Sequence, residues 1–304
     1  MNPKTIFRAL VCTAALFWSA NVFAGDATET TDAKSSPIVQ STPVSHDLFS
    51  LTTTYTGGSN VNSFVSLGTQ DVVSTDFTYG HRFQIEGNWY LRTGMEYLLY
   101  DFGGSTGPLP KQLQALSALV AVEYVVQDFA AVSVELRPGF AFENDISSQS
   151  FDVPFDIYTS FPIVKDKVFG MAGVFYGRNF NPEVSPIGGV IWLINDKTRL
   201  QALFPQSALV YSFSDDLDLS LNAEISGYGF RMDKDDRAYS DARVLYTYKR
   251  VGAKATYKGW KPFEVGVEAG YDIDREFDFI HSGPFQKYKA SGAPYVEISF
   301  DTKF

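Results

Sequence analysis

A chain of 304 residues with a formal net charge of −10 and a single cysteine is long enough to bury a large core, and its composition removes several function classes. So acidic a chain is a poor partner for nucleic acid or any other polyanion. Its one cysteine, Cys12, falls inside the expected export segment, so the mature protein is not a small secreted domain stapled by disulfides.

Residues 1–24 read as a secretory signal peptide. Lys4 and Arg8 give the positive start, Ala9 to Phe17 is mostly apolar, and Val22-Phe23-Ala24 offers a cleavage site before Gly25. The apolar run is too short, and too interrupted by Thr13, Ser19 and Asn21, for a membrane helix. Val11 stands before Cys12 where a lipoprotein signal wants Gly or Ala, which argues against lipidation. Removing the segment leaves the chain two charges more acidic, since Lys4 and Arg8 go with it. Residues 25–45 are mainly Thr, Ser, Asp and Pro; such a stretch cannot offset its ordering entropy by burial and is expected to be a disordered periplasmic lead-in.

From residue 46 onward the hydrophobic period is two, with no convincing helical stretch. Phe49, Leu51, Thr53 and Tyr55 alternate with Ser50, Thr52 and Thr54, and Val73, Thr75, Phe77 and Tyr79 follow. Trp89, Leu91, Met95, Tyr97 and Leu99 oppose Tyr90, Arg92, Gly94 and Glu96, while Ala118, Val120, Val122 and Tyr124 share a strand with Glu123. Val132 to Phe142 and Phe151 to Phe161 alternate in the same way, setting Ser133, Glu135, Arg137, Asp152 and Asp156 against apolar partners. Residues 167–179 and 185–195 also look like strands, but glycines on both faces leave their orientation open. Later, Leu219 to Ile225 oppose Asn222 and Glu224; Ala242, Val244, Tyr246 and Tyr248 oppose Arg243 and Lys249; Val265 to Ile273 oppose Glu268 and Asp272. The alternation predicts sheets with one apolar and one wet face.

Connection lengths alternate too. Short turns are expected near 86–88, 127–128, 164–167, 195–198, 215–216 and 259–262, and longer ones at 57–70, 103–112, 144–150, 179–185, 232–239 and 279–292. Short turns on one side and long loops on the other are the habit of transmembrane barrels. With both ends in the periplasm the strand count is even: fourteen if the short segments 199–204 and 208–213 around Pro205 both span, twelve if they do not. The fold expected is all-β: an antiparallel, up-and-down transmembrane β-barrel over residues 46–304, with short periplasmic turns and longer outer loops.

The last ten residues carry the resemblance. Val296, Ile298, Phe300, Thr302 and Phe304 share one face of a strand that stops on an aromatic residue. This resembles the C-terminal strand of Gram-negative outer-membrane β-barrel proteins, which implies recognition by the barrel-assembly machinery, passage with periplasmic chaperones, and an outer-membrane home among lipid and lipopolysaccharide. More narrowly, Pro186 to Trp192, Arg199 to Pro205 and Tyr211 resemble an uncharacterised outer-membrane barrel family. That likeness implies fold and location and no activity.

Little points to catalysis. His46, His81 and His281 are far apart in the expected topology, so no shared metal site follows. His281, with Ser282 beside it and Ser240 and Ser291 in outer loops, is the one constellation similar to outer-membrane lipid-modifying enzymes. There is no Gly-x-Ser-x-Gly elbow or phosphate-binding glycine loop. Asp233 to Asp241 is acidic but lacks the glycine and terminal glutamate of an EF-hand. No cofactor, metal or catalytic residue is expected.

The inward face is more informative. Arg92, Arg137 and Arg243 are expected to share the lumen with Glu96, Glu123, Glu135, Asp152, Asp156, Glu224, Glu268, Asp272 and Glu297, because charges face lipid only at high cost. A lumen of twelve to fourteen strands is wider than side chains fill unaided. The first expectation is therefore a porin-like channel for small hydrophilic or cationic solutes. The second is a closed structural or adhesin-type barrel acting through its loops, and the third an outer-leaflet lipid-modifying enzyme.

Overall fold

The computed structural model describes residues 47–62, 66–104, 109–126, 129–180, 182–234, 239–280 and 286–303. The expected signal peptide, the lead-in, His46, His281, Ser282 and Phe304 lie outside them. Fourteen antiparallel strands close into one barrel. They are β1 (Asp47–Asn62), β2 (Ser66–Glu86), β3 (Trp89–Gly103), β4 (Gln112–Val126) and β5 (Phe129–Leu136 and Gly139–Phe142). Next come β6 (Phe151–Asp152 and Phe155–Val164), β7 (Val168–Tyr176), β8 (Val184–Asn195), β9 (Thr198–Phe204) and β10 (Gln206–Ser214). The ring is completed by β11 (Leu217–Arg231), β12 (Arg243–Trp260), β13 (Phe263–Ile280) and β14 (Gln286–Ala290 and Ala293–Lys303). Each pairs with its sequence neighbours, and β1 closes on β14 in the register Leu48↔Lys303 through Thr56↔Tyr295. No open edge remains around the ring, which is what lets a sheet stand in lipid.

The two short segments around Pro205 are both strands of the wall. β9 pairs with β8 and with β10, and β10 pairs with β11, so the larger of the two expected strand counts is the one found. Their connection breaks the expected alternation of loop lengths: Pro205 alone joins β9 to β10 at the end where the long connections lie. Two of the expected long loops, 57–70 and 279–292, are instead mostly strand. β1 runs to Asn62 and β2 resumes at Ser66; β13 runs to Ile280 and β14 resumes at Gln286. The described residues of neither stretch fold into the lumen as a plug.

These extensions build a second storey. β2, β12 and β13 have 21, 18 and 18 residues, well beyond the roughly 9–11 of a tilted span. At the loop end Arg231 of β11 pairs in parallel with Phe142 of β5, and the Glu143 amide donates to the Arg231 carbonyl at 3.0 Å. This pairing bypasses the short strands β6–β10 and closes β1–β5 with β11–β14 into a narrower ring, here called the head. Its interior is apolar: Val61, Leu98, Tyr100, Phe102, Leu113, Phe230, Val244, Tyr246, Phe277, Phe279 and Tyr288 form one buried cluster. Rings meet across it, Phe102 on Phe277 at 5.1 Å and Tyr100 on Tyr246 at 4.9 Å. A smaller cluster, Tyr158, Met171, Ile187, Ile191 and Leu203, fills the side formed by β6–β9. It settles the open orientation of 167–179 and 185–195: Met171 and Ile187 face in, Val174 and Trp192 face out.

Chemistry changes sides between the storeys. In the lower storey the outer face is a belt of exposed apolar residues, such as Val120 and Val122, Val132 and Val134, Leu219 and Leu221, Val267 and Ile273, and Val296 and Ile298. So continuous an apolar surface belongs in lipid. Aromatics crowd its turn end, among them Phe83, Trp89, Phe213, Tyr257 and Trp260, as at a membrane interface. In the head the apolar face turns inward and the outer face is charged: Lys249 bonds Asp274 at 3.3 Å, and Lys287 and Lys289 both pair with Glu276. Three neighbouring strands make the change at the same height by losing register. β1 bulges at Gly57-Gly58, β13 inserts Ile273 between the partners of Arg250 and Lys249, and β14 breaks at Ser291-Gly292. One extra residue moves every following side chain to the other face.

This corrects one expectation. Val244, Tyr246 and Tyr248 of β12, read as a lipid face, are buried inside the head, and Arg243 points outward rather than into the lumen. The pattern alone could not say which face of a strand meets lipid once the strand leaves the membrane.

The outer face of the head supports a pH prediction. Burial alone would raise the Glu276 carboxyl, but hydrogen bonds from Lys287 and Lys289 hold it below its ordinary value. A carboxylate with a depressed pKa adds stability above its unfolded value, and loses it as pH falls through the folded one. Protection factors for amide exchange along Gln286–Ala290 are therefore expected to fall below about pH 4, modestly because the lysines are half-exposed. Protection unchanged down to pH 2 to 3, about two units below the ordinary carboxyl range, would contradict this.

Candidate functional site

Two ion-pair networks fill the lower lumen. The first lies on β2–β6, where alternation points Arg82, Arg92, Glu96, Glu123, Glu135, Arg137 and Asp156 inward. Arg92 is fully buried; its Nε donates to Glu123 at 2.9 Å and its Nη2 to Glu135 at 2.5 Å. Arg82 Nε donates to the other oxygen of Glu123 at 2.7 Å. Arg137 completes the chain, pairing with Glu135, with Asp156 at 3.1 Å and with Glu96 at 3.4 Å. Every basic group therefore reaches two carboxylates or shares one, which is how buried charges are tolerated.

The second network lies on β1 and β11–β14 around Arg250. Its guanidinium stands 4.2 Å from the Tyr248 ring centre and 4.6 Å from that of Tyr295, donates to Asp272 at 3.1 Å, and lies 3.6 Å from Glu297. Thr56 donates to Asp272 at 2.8 Å, Thr54 to Glu297 at 3.1 Å, and Asn222 to Glu268 at 2.7 Å; the Tyr295 hydroxyl also bonds Glu268. Cation–π contact and charge pairing hold the same guanidinium. Near the turn end Asp218 sits between Lys258 at 3.1 Å and Arg199 at 3.9 Å.

Of the expected lumen residues, Arg92, Glu96, Glu123, Glu135, Arg137 and Asp156 come together in the first network, and Glu268, Asp272 and Glu297 in the second. Glu224 lies beside the second, with one oxygen buried and unbonded. Two lie elsewhere. Asp152 accepts the Asn179 amide at 3.0 Å and anchors the 177–183 connection at the loop end. Arg243 donates to the Arg178 carbonyl at 2.6 Å from outside the head. Strand alternation would have found four further inward-facing charged residues, Arg82, Asp76, Arg250 and Lys254, since each stands opposite apolar neighbours on β2 or β12.

The 177–183 connection covers the lumen beside the head. Phe180 packs on Phe175 at 4.6 Å and on Tyr228 at 5.0 Å. The Asn179 backbone lies so close to Gly229 of β11 that any side chain there would collide with it. In this conformation Arg92, Glu135, Asp156 and Asp272 are at most 2% exposed, so side chains close the lumen at their level.

The remaining sequence candidates that are described lie on separate elements, and His281 and Ser282 are outside the described residues. His81 pairs with Asp47 at 2.8 Å near the turn end, Ser240 bonds the Lys234 carbonyl, and Ser291 lies at the β14 break. In the acidic 233–241 stretch, the Arg231 hydrogen bond holds the Asp241 carboxyl below its ordinary value, and Asp233 accepts the Asn144 amide. Among the described residues no group of three His, Cys, Asp or Glu is arranged to hold a metal ion. Val296 and Ile298 of the terminal strand face lipid, and Phe300 packs on Phe263 at 5.3 Å.

No family model matches the chain, and no curated protein matches it. Similar solved structures are outer-membrane β-barrels. An outer membrane channel from Pseudomonas putida F1 is 11% identical over 91% of this chain and 100% of its own, with a TM-score of 0.48. The Pseudomonas putida toluene transporter TodX is 8% identical over 96% and 95%, with a TM-score of 0.39. The NanC porin is 11% identical over 85% and 100%, with a TM-score of 0.36. At these values the likeness carries no argument about what this chain does.

Proposed function

We propose that this chain is a bacterial outer-membrane channel for small hydrophilic solutes, with a bias toward cations, and that the described conformation is its closed state. One observation carries the reading: the membrane-level lumen of a fourteen-strand ring is lined by ionisable side chains in which carboxyl groups outnumber basic groups. A wall built only for support is served as well by apolar filling, since buried ion pairs seldom add net stability. An acidic lumen raises the local concentration of cations and repels anions. An apolar cluster occupies the interior of the head, so the route leaves the lumen beside it, under the connection between β7 and β8.

In this reading the turn end faces the periplasm and the head stands outside among lipopolysaccharide. The terminal strand is the segment offered to the barrel-assembly machinery, after delivery by periplasmic chaperones. The aromatic core of the head favours a second reading, a closed barrel that works through its outer surface.

Single-channel recording of the refolded mature chain separates the two. Cation-biased steps are expected, with the reversal potential moving toward zero in Glu135→Gln and Asp156→Asn. Phe180→Ala, which removes the ring over the side passage, is expected to raise the mean current. A folded, heat-modifiable barrel that stays silent in all variants would sink the channel reading and leave the second.

A further inference from the structure

Between the second network and the floor of the head lies a cavity of about 20 Å³, room for one water-sized occupant. Its polar wall is made by Thr52 and Thr54 of β1, Ser74 and Asp76 of β2, and Glu297 of β14. Asp76 is 7% exposed, and its Oδ1 is buried with no hydrogen-bond partner. No ion pair among the described residues reaches it, although Arg250 and Lys254 both pair nearby with Glu297. The Arg250 guanidinium lines the cavity but is held by Asp272, Glu297 and two tyrosine rings. A buried carboxyl group that lines a polar cavity next to Glu297, with one oxygen unbonded and no basic side chain paired to it, is a place where a positive charge would be favoured.

We propose that this cavity binds one small monovalent cation, of the size of sodium or potassium, with the Asp76 carboxylate as its charged ligand and the Thr52 and Ser74 hydroxyls as further oxygen donors. Carboxylate and hydroxyl oxygens are hard donors suited to such ions. Arg250 on the opposite wall disfavours a second positive charge, which sets a monovalent ion above a divalent one. The site rests on the channel reading for its access to water, and gives the lumen a fixed point at which a permeating cation pauses.

The test is the thermal unfolding midpoint of the full mature chain, refolded in detergent, in sodium, potassium or N-methyl-D-glucamine chloride at fixed ionic strength. With wild type, sodium or potassium is expected to raise the midpoint saturably by several degrees over the bulky cation. Asp76→Asn is expected to remove that dependence and, in the bulky cation, to unfold no earlier than wild type, because it deletes an uncompensated buried charge. If Asp76→Asn does not fold, Thr52→Val and Ser74→Ala serve instead, each raising the half-saturating concentration several-fold. Identical midpoints in the three salts, as a protonated Asp76 would give, overturn the proposal, and so does a cation dependence that persists in Asp76→Asn. The readout needs no current. Lost stabilisation with conductance intact sinks the site alone, and saturable stabilisation in a silent barrel sinks the channel alone.

Discussion

Arg92→Met is expected to destabilise the folded barrel by about 3 kcal/mol, read as a lower urea midpoint in lipid vesicles followed by tryptophan fluorescence. The side chain is fully buried and bonds two carboxylates, Glu123 and Glu135, on different strands. Methionine fills much of the volume but leaves both carboxylates short of positive charge. Breaking a buried pair by removing one partner costs about 3–5 kcal/mol. The lower end applies because Glu123 keeps Arg82 and Glu135 keeps Arg137. Adding Glu135→Gln to Arg92→Met should recover part of the loss, since it removes one of the two carboxyl groups left with a single basic partner. Strictly additive effects would mean that the pair does not couple, and that the first network is a solvated lining rather than a seal. The same double variant bears on function, because a lumen closed by charge pairs should conduct more once they are neutralised.

What the sequence made legible was the wall. Alternation in β3, with Leu91, Met95 and Tyr97 against Arg92 and Glu96, assigns faces correctly because a strand inside the membrane has only one place for charge. The structure gathers nine of the twelve candidate lumen residues into the two networks, an arrangement the alternation did not foretell, with Glu224 beside the second. Arg243 escaped because the rule equating apolar with lipid-facing holds only at membrane height. Above it β12 keeps its phase while its environment inverts, so Tyr246 looks the same in sequence whether it meets lipid or a protein core. β13 hides the inversion differently. Val265 to Ile273 and then Phe277 and Phe279 share one parity, yet the bulge at Ile273 sends the last two inward. Only the Gly57-Gly58 and Ser291-Gly292 pairs hinted at it, since glycine in a strand often marks a bulge. The side ring β6–β10 was legible as strands but not as a lower wall, because its height depends on the parallel pairing of Arg231 with Phe142, far apart in the chain.

The position of the membrane boundary has its own test. Leu221 of β11 is 62% exposed and flanked by Leu209 and Ala253 in the apolar belt. Leu221→Arg is expected to destabilise the barrel by about 2–4 kcal/mol in a bilayer, the cost of a guanidinium near the midplane of hydrocarbon. In detergent, which deforms and hydrates more readily, the loss should shrink. Thr247 of β12 faces the same way above the bulge line, between Gly227 and Glu276. Thr247→Arg should therefore change stability by no more than about 0.5 kcal/mol, as for an ordinary surface site in water. Equal penalties for the two would put the head in lipid, and the charged row Lys249, Asp274, Glu276 and Lys289 would then have no solvent. Unequal penalties fix the aromatic core outside the bilayer, where it blocks the straight path through the barrel. Any solute would then have to enter from the side, between the head and the low wall that Pro205 closes.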